Sequence, residues 1–257
     1  MPPASESERV AISACVIARD EEDRLGECLA SIAWCDEVLV VDSHSTDRTR
    51  EIAAASGARV IERDWPGHVA QKEFAIRAAR HDWVLCVDAD ERVTKALAEE
   101  IEAQRAQGLD RAAGYRMPRV SSYLGAWIRH GSWYPDRKLR LFDRRRGHWG
   151  GRDPHDRVEI EGPVVDLESD LEHHPYRNLE DHLRTIDRYS TTMAQKLYED
   201  GRRAHLWDVL IRPPLRFFVF YLVRRSFLDG WRGLLLAILA SHYVRLRYLK
   251  LWSLSRS

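Results

Sequence analysis

Two aspartates one residue apart, Asp88 and Asp90, stand at the end of an unbroken apolar run, Trp83-Val84-Leu85-Cys86-Val87. A run of this kind suits a strand covered on both faces, as in a parallel sheet flanked by helices. Ligands of such sheets sit in the crevice beyond the carboxyl ends of the strands, where the two acids would stand. Side chains two apart on an extended chain point the same way, so their like charges repel unless a cation or proton lies between them. Hard oxygen ligands suit Mg²⁺ or Mn²⁺, and Mg²⁺ commonly uses one or two carboxylates together with substrate phosphates. The chemistry expected of the pair is a metal ion that holds a diphosphate. The plainer alternative is an acidic strand-to-helix turn in which Asp90 caps the following helix.

The elements that would position these acids are legible upstream. Val10–Ala18 is apolar and β-rich, and Leu25, Cys28, Leu29 and Ile32 then recur at helical spacing. Glu37–Val41 reads as a second strand, closed by Asp42-Ser43-His44-Ser45-Thr46-Asp47, with Ser45 or Thr46 placed to cap a helix over Asp47–Ser56 that ends at Gly57. Ala58–Glu62 reads as a third strand, and Gly67 precedes a helix from His68 to Arg80. Strand and helix alternate with short loops, which predicts a doubly wound α/β layer with a mostly parallel sheet. Three strands end in ligand-type acids: Asp20 and Glu21, Asp42, and Asp88 with Asp90. An acid after the second strand can accept hydrogen bonds from a nucleoside. Neither Gly-x-Gly-x-x-Gly nor Gly-x-x-x-x-Gly-Lys-Ser/Thr follows the first strand, so the dinucleotide and P-loop readings fail.

Ile12–Glu21, Val40–Thr49 and Val87–Glu91, in this order and each at a strand end, resemble family 2 glycosyltransferases of the GT-A fold. The resemblance implies that Ala18, Arg19 and Glu21 line a nucleoside pocket and that Asp42 binds the base of a UDP-sugar. It places Asp88 at the ribose or diphosphate, with Asp90 as the principal metal ligand. Lys72 sits where relatives often carry a basic residue near the nucleotide; a solvated helix lysine is the alternative. Asp47 reads as a first-turn helix acid.

Downstream, Lys95–Gln107 is an amphipathic helix, and Gly114–Arg119 and Lys138–Phe142 read as further strands. Between those strands lie Trp127, Trp133 and Tyr134. Sugars stack flat C–H faces on aromatic rings, so these three are candidate acceptor contacts, with packing of a loop onto the sheet as the alternative. Displacement at an anomeric carbon needs a carboxylate or imidazole to take the acceptor proton. Asp153, His155 and Asp156 are the dense acid–imidazole cluster outside the strand ends. The stretch from Trp133 through His155-Asp156 to His173 resembles the lipopolysaccharide inner-core β-1,4-glucosyltransferase branch, many of whose members show His-Glu where this chain has His155-Asp156. That assigns the base to Asp156, with Asp153 second. His173 or His174 could complete a metal shell or bind phosphate; a surface histidine pair is the alternative.

Leu179–Glu199 carries one apolar face. From Arg212 onward eight arginines and one lysine face a single acid, Asp229, around apolar runs far shorter than the roughly 20 residues of a membrane span. Such helices suit the headgroup interface of an anionic membrane; an oligomer contact or a buried core is the alternative. The whole chain carries 40 basic and 40 acidic residues, so no global charge marks a nucleic-acid binder. Cys15, Cys28, Cys35 and Cys86 lack metal spacing and read as reduced, buried thiols. The N-terminus lacks the pattern of a signal peptide. The expected organisation is a short tail over 1–9, a catalytic domain over 10–203 and a membrane-associating helical region over 204–257. The expected activity is metal-dependent, inverting transfer of a hexose, glucose first, from a UDP-sugar to a lipid-linked glycan such as the lipopolysaccharide inner core, on the cytoplasmic face of a bacterial inner membrane. The alternatives are a polyprenyl phosphate or other envelope-glycan acceptor, and a nucleotidyltransferase.

Overall fold

The structure, a computed structural model, describes residues 9–152 and 155–256. By its contacts the chain divides into two compact units. One runs through Arg119 and resumes from Arg137 to His173; the other comprises Val120–Asp136 and His174–Ser257. This division differs from the boundary at 203 drawn from composition, because a hairpin before Asp136 and the helix after His174 pack with the C-terminal helices. The expected tail over 1–9 lies, except for Arg9, outside the described residues.

The first unit opens with the expected alternation: β1 (Ile12–Ala18), α1 (Leu25–Ile32), β2 (Glu37–Asp42), α2 (Thr49–Ala55), β3 (Arg59–Glu62), α3 (His68–Ala78) and β4 (Trp83–Cys86). There follow β5 (Glu91–Val93), α4 (Lys95–Ala106) and β6 (Gly114–Met117); β7 (Arg119–Tyr123) leads into the second unit, where β8 (Ala126–Ile128) pairs back on it. The first unit resumes with β9 (Lys138–Asp143), β10 (Gly147–Arg152), β11 (His155–Ile160), β12 (Val164–Asp166) and β13 (Leu171–His173).

Seven strands form one sheet in the order β12-β6-β9-β4-β1-β2-β3. All its pairings are parallel except those of β9, which runs antiparallel to both β4 and β6. Successive side chains of a strand face opposite ways, and both faces are covered here. Trp83 and Leu85 of β4 join Ile12, Ala14 and Val16 of β1 against α1 and α4, whereas Val84, Cys86 and Cys15 pack with Ala75 and Ile76 of α3. That two-sided burial is why β4 shows no polar interruption; each fully buried Leu or Ile contributes about 1.5–3 kcal/mol. All four cysteines are free and buried.

Two local expectations differ from the structure. Asp90 caps no helix: β5 follows it, and α4 is capped by Thr94, whose hydroxyl accepts from the Leu97 amide at 3.1 Å. Nor does Ser45 or Thr46 cap α2. The Asp47 carboxylate accepts from the Thr49 amide at 2.9 Å, and the Ser45 hydroxyl turns to Asp42.

The second unit holds the β7–β8 hairpin, α5 (Leu179–Glu199), α6 (Leu206–Phe218), a π-helical turn over Val219–Val223, a 3-10 turn over Ser226–Asp229, and α7 (Gly230–Leu254). Its core gathers Tyr123 and Ile128 of the hairpin, Ile186 of α5, Phe220, and Leu236 and Leu239 of α7.

Candidate active site

The parallel strands deliver their carboxyl ends to one edge of the sheet, and three acid-bearing loops meet there. β4 ends at Cys86, so residues 88–90 form a turn and the two aspartates diverge instead of sharing one side of a strand. Asp88 turns to two cations. Its Oδ1 lies 2.8 Å from Lys72 Nζ, and its Oδ2 accepts from Arg140 Nη2 at 2.5 Å. Burial alone would raise the Asp88 carboxyl, but Arg140 and Lys72 hold it well below the usual carboxylate range. Asp90 turns the other way: its Oδ2 lies 3.4 Å from His173 Nε2 and 3.9 Å from Arg24 Nη1. Burial would raise Asp90 too, and the hydrogen bond and charge of His173 outweigh it.

Lys72 is no solvated helix residue. It is 8% exposed, donates to Asp156 Oδ2 at 2.7 Å, and lies 4.6 Å from the centre of the Trp149 ring. Burial pushes its ammonium down, as Arg140 also does, yet Asp88 and Asp156 more than compensate and the net shift is upward. α3 holds the lysine from one side and the β10–β11 hairpin brings Asp156 from the other. One ammonium thus bridges the first acid of the Asp-x-Asp turn and the carboxylate expected to act as base. Asp153, the second candidate, lies outside the described residues, and the side chain of His155 is not among those described.

Behind this edge sits a set of residues that the sequence reading passed over. Glu91 is fully buried; its Oε1 accepts from Arg140 at 2.6 Å and from Arg119 at 2.8 Å, and its Oε2 accepts from the Asp88 amide at 3.0 Å. Burial would discharge Arg140, but Asp88 and Glu91 keep its guanidinium firmly protonated. One signal could have found it. Arg140 interrupts the otherwise apolar run Leu139–Phe142, and a buried charge in a central strand needs a partner.

The nucleoside-side candidates gather at the ends of β1 and β2. Ala18 is buried and its carbonyl accepts from the Ser43 amide; Arg19 is exposed, 3.8 Å from Asp20; the Glu21 amide donates to Thr49 Oγ1 at 2.8 Å. Asp42 is fully buried, and both of its oxygens accept from Ser45, one from the amide at 2.9 Å and one from the hydroxyl. Its carboxylate therefore shapes the loop after β2.

The aromatic candidates belong to the second unit. Trp127 is 38% exposed beside His174, whose Nδ1 lies 2.9 Å from Ser122 Oγ. Trp133, half-buried, packs into an aromatic group with Tyr123, Tyr176 and His182; Tyr134 lies under the guanidinium of Arg129.

Asp90 and His173 supply a carboxylate oxygen and an imidazole nitrogen on facing elements, a donor set that Mn²⁺ or Mg²⁺ accepts when phosphate and water complete the shell. No group of three or more His, Cys, Asp or Glu arranged for a metal occurs among the described residues, so a metal here would rely on the substrate for its remaining ligands.

The model of the Glycosyl transferase family 2 matches residues 13–159, which run from the second residue of β1 into β11 and include Lys72, Asp88, Asp90, Arg140 and Asp156. The lipopolysaccharide core biosynthesis glycosyltransferase LpsC of Rhizobium meliloti (strain 1021) is 28% identical over 251 residues, covering 95% of this chain and 93% of its own. Among solved structures, the mannosyltransferase PcManGT from Pyrobaculum calidifontis, in complex with GDP-Man and Mn²⁺, superposes with a TM-score of 0.56 at 15% identity, over 96% of this chain and 88% of that one. S. aureus TarS 1-349 in complex with UDP-GlcNAc gives 0.52 at 14% identity, over 96% and 91%. These likenesses show the fold, which is the GT-A fold expected from the motifs.

Proposed function

The chain belongs to glycosyl transferase family 2, and from that premise we propose that it transfers a hexose, glucose first, from a UDP-sugar to a lipid-linked glycan at a membrane surface. The inner core of lipopolysaccharide is the first acceptor to test, because the relative LpsC is named for that biosynthesis. The observation that carries the reading is the divided acid edge, with Asp88 neutralised by Lys72 and Arg140 and Asp90 left facing His173 at 3.4 Å. Asp90 and His173 would hold Mn²⁺ or Mg²⁺, in keeping with the Mn²⁺ of the mannosyltransferase complex. When bound, the metal would neutralise charge on the departing diphosphate.

The reaction is a direct displacement. The bond from the anomeric carbon to the phosphate oxygen breaks, a bond from the same carbon to the acceptor oxygen forms, and the acceptor hydroxyl loses its proton. Asp156 would take that proton, since its carboxylate is held beside Asp88 through Lys72. Lys72 and Arg140 are cations fixed before the reaction starts, so they can stabilise developing charge without reorganising. Asp42, through Ser45, would set the loop that receives the nucleoside.

The test is a panel of nucleotide sugars incubated with the full chain and Mn²⁺, with and without a deacylated, heptose-containing core oligosaccharide, following UDP release and the glycosylated product. Acceptor-dependent release of UDP from UDP-glucose, abolished by EDTA, is the expected result. Turnover of no nucleotide sugar, or turnover indifferent to EDTA, would overturn the corresponding part of the reading.

A further inference from the structure

A surface helix ordinarily buries one apolar stripe and shows water a polar one. α6 does not. Its buried side carries Val209 and Pro213 and leads to Phe220 in the turn that follows. Its outward side repeats Trp207, Ile211, Leu215 and Phe218, and continues to Leu222. Those five are spaced three or four apart, as one helical face requires, and their exposures run from 40% to 68%. Of the twenty large apolar side chains exposed in the described chain, thirteen fall between Leu206 and Ile238. A monomer rarely leaves so continuous an apolar patch to water, and such a patch marks an interaction surface.

Charge identifies the occupant. Between residues 206 and 238 five arginines face two aspartates, and both acids are already engaged: Asp208 accepts from Arg212 at 2.5 Å, and Asp229 from the Arg129 and His130 amides. Arg224 and Arg225 directly follow the apolar stripe, are exposed, and pair with no carboxylate among the described residues. A second copy packed on this face about a twofold axis would set these uncompensated cations near their own counterparts. An anionic lipid surface instead offers acyl chains to the stripe and headgroups to the arginines. No helix among the described residues is long and apolar enough to cross a membrane, so the geometry available is a helix lying in the interface.

We infer that the outward face of α6, with the turn that follows it, is a membrane-docking surface that inserts side chains into one leaflet of an anionic bilayer and is steered there by Arg224 and Arg225. The inference rests on the reading that the acceptor is lipid-linked, and it names the surface by which the enzyme reaches it.

Flotation of the full chain with vesicles of phosphatidylcholine alone, or with phosphatidylglycerol added, tests this. Wild type should float with the anionic vesicles, and high salt should reduce that binding without removing it. Ile211→Glu with Phe218→Glu should cut the bound fraction at least tenfold, while Leu183→Glu on the exposed side of α5 should leave it unchanged. Arg224→Gln with Arg225→Gln should abolish only the preference for anionic vesicles. Should the double glutamate variant lose its wild-type circular dichroism, Trp207→Gln, at the most exposed position of the stripe, gives the same reading. UDP release from the sugar donor with a soluble acceptor should be unaltered in every variant, which separates failure of this inference from failure of the enzymatic one. Flotation of the glutamate variants like wild type would overturn the proposal. So would a wild type that never floats and sediments as a dimer that these variants dissociate.

Discussion

Replacing Arg140 with methionine would leave Asp88 and Glu91 facing one another with one cation fewer between them. Removing one partner of a buried ion pair typically costs about 3–5 kcal/mol, and urea unfolding of Arg140→Met should show a loss of that order. At the neighbouring acid the expected effect is on chemistry. Asp90→Ala should abolish most turnover, because charge on the departing diphosphate would no longer be neutralised by metal, and weaken Mn²⁺ binding, measured by the paramagnetic signal of free Mn²⁺, with the unfolding midpoint near wild type. His173→Ala should move the same signal in the same direction. Asp156→Asn should lose turnover by about 10² while UDP still binds, as a missing general base requires; retained turnover would move the base to Asp153. A different residue predicts the response to pH. Burial in the second unit lowers His182 from its ordinary value to about 4, and its Nδ1 lies 3.0 Å from the Tyr123 hydroxyl. A depressed histidine is protonated first in the unfolded chain, so its contribution to stability is intact above about pH 6.5, declines as pH falls, and levels off near the folded value. Between pH 7.5 and pH 5 wild type should lose about 2 kcal/mol from this group, a loss that His182→Asn should not show.

The alternation of strands and helices was legible because β1 and β4 are apolar runs, β2 is one between two acids, and α1 repeats its apolar residues every three or four positions. α5 spans the residues its periodicity marks, Leu179–Glu199, and the other early elements differ from expectation by a few residues at their ends, where fraying and capping decide. Caps themselves were harder to assign. Ser45, Thr46 and Asp47 are all good capping residues, and which one serves depends on Asp42, which recruits Ser45 from a neighbouring position. Thr94 is a simpler case: its hydroxyl caps α4 and also donates to the Asp170 carbonyl at 2.9 Å. Thr94→Ala should therefore cost about 1 kcal/mol, read as a lower urea midpoint at constant slope. The antiparallel insertion of β9 between β4 and β6 left no mark in composition, since a strand buried on both faces looks alike in either direction. For the same reason the site was half legible. The acids announce themselves at the ends of strands, but Arg140 reaches Asp88 only through that insertion, and the burial of Lys72 depends on a hairpin more than 70 residues downstream. The aromatic trio was legible only as composition, and Trp133 proves to be engaged with Tyr123, Tyr176 and His182.

At the scale of the whole molecule, composition suggested a catalytic domain followed by a detachable tail, and the contacts divide the chain elsewhere. Ending the chain at Arg203 would take Phe220, Leu236 and Leu239 from the core they share with Tyr123 and Ile128. Each buried large apolar side chain is worth some 2–5 kcal/mol in such a setting, so the shortened chain should bind a hydrophobic dye strongly and lose one cooperative unfolding transition. Survival of every transition would show that residues 120–136 and 174–203 hold together unaided. The order in which a ribosome delivers these pieces carries its own cost. The first unit is complete once His173 has emerged, yet the β7–β8 hairpin, already made, must wait for α7 before its apolar side, which α5 reaches first through Ile186, is fully covered. About a hundred residues separate Asp136 from Leu236, and at translation rates of roughly 5–20 residues per second the hairpin is without its α7 cover for about 5–20 s in every round of synthesis. During that interval Tyr123 and Ile128 are open to any chaperone within reach, and slowing elongation after codon 136 should raise the fraction of nascent chains that one captures.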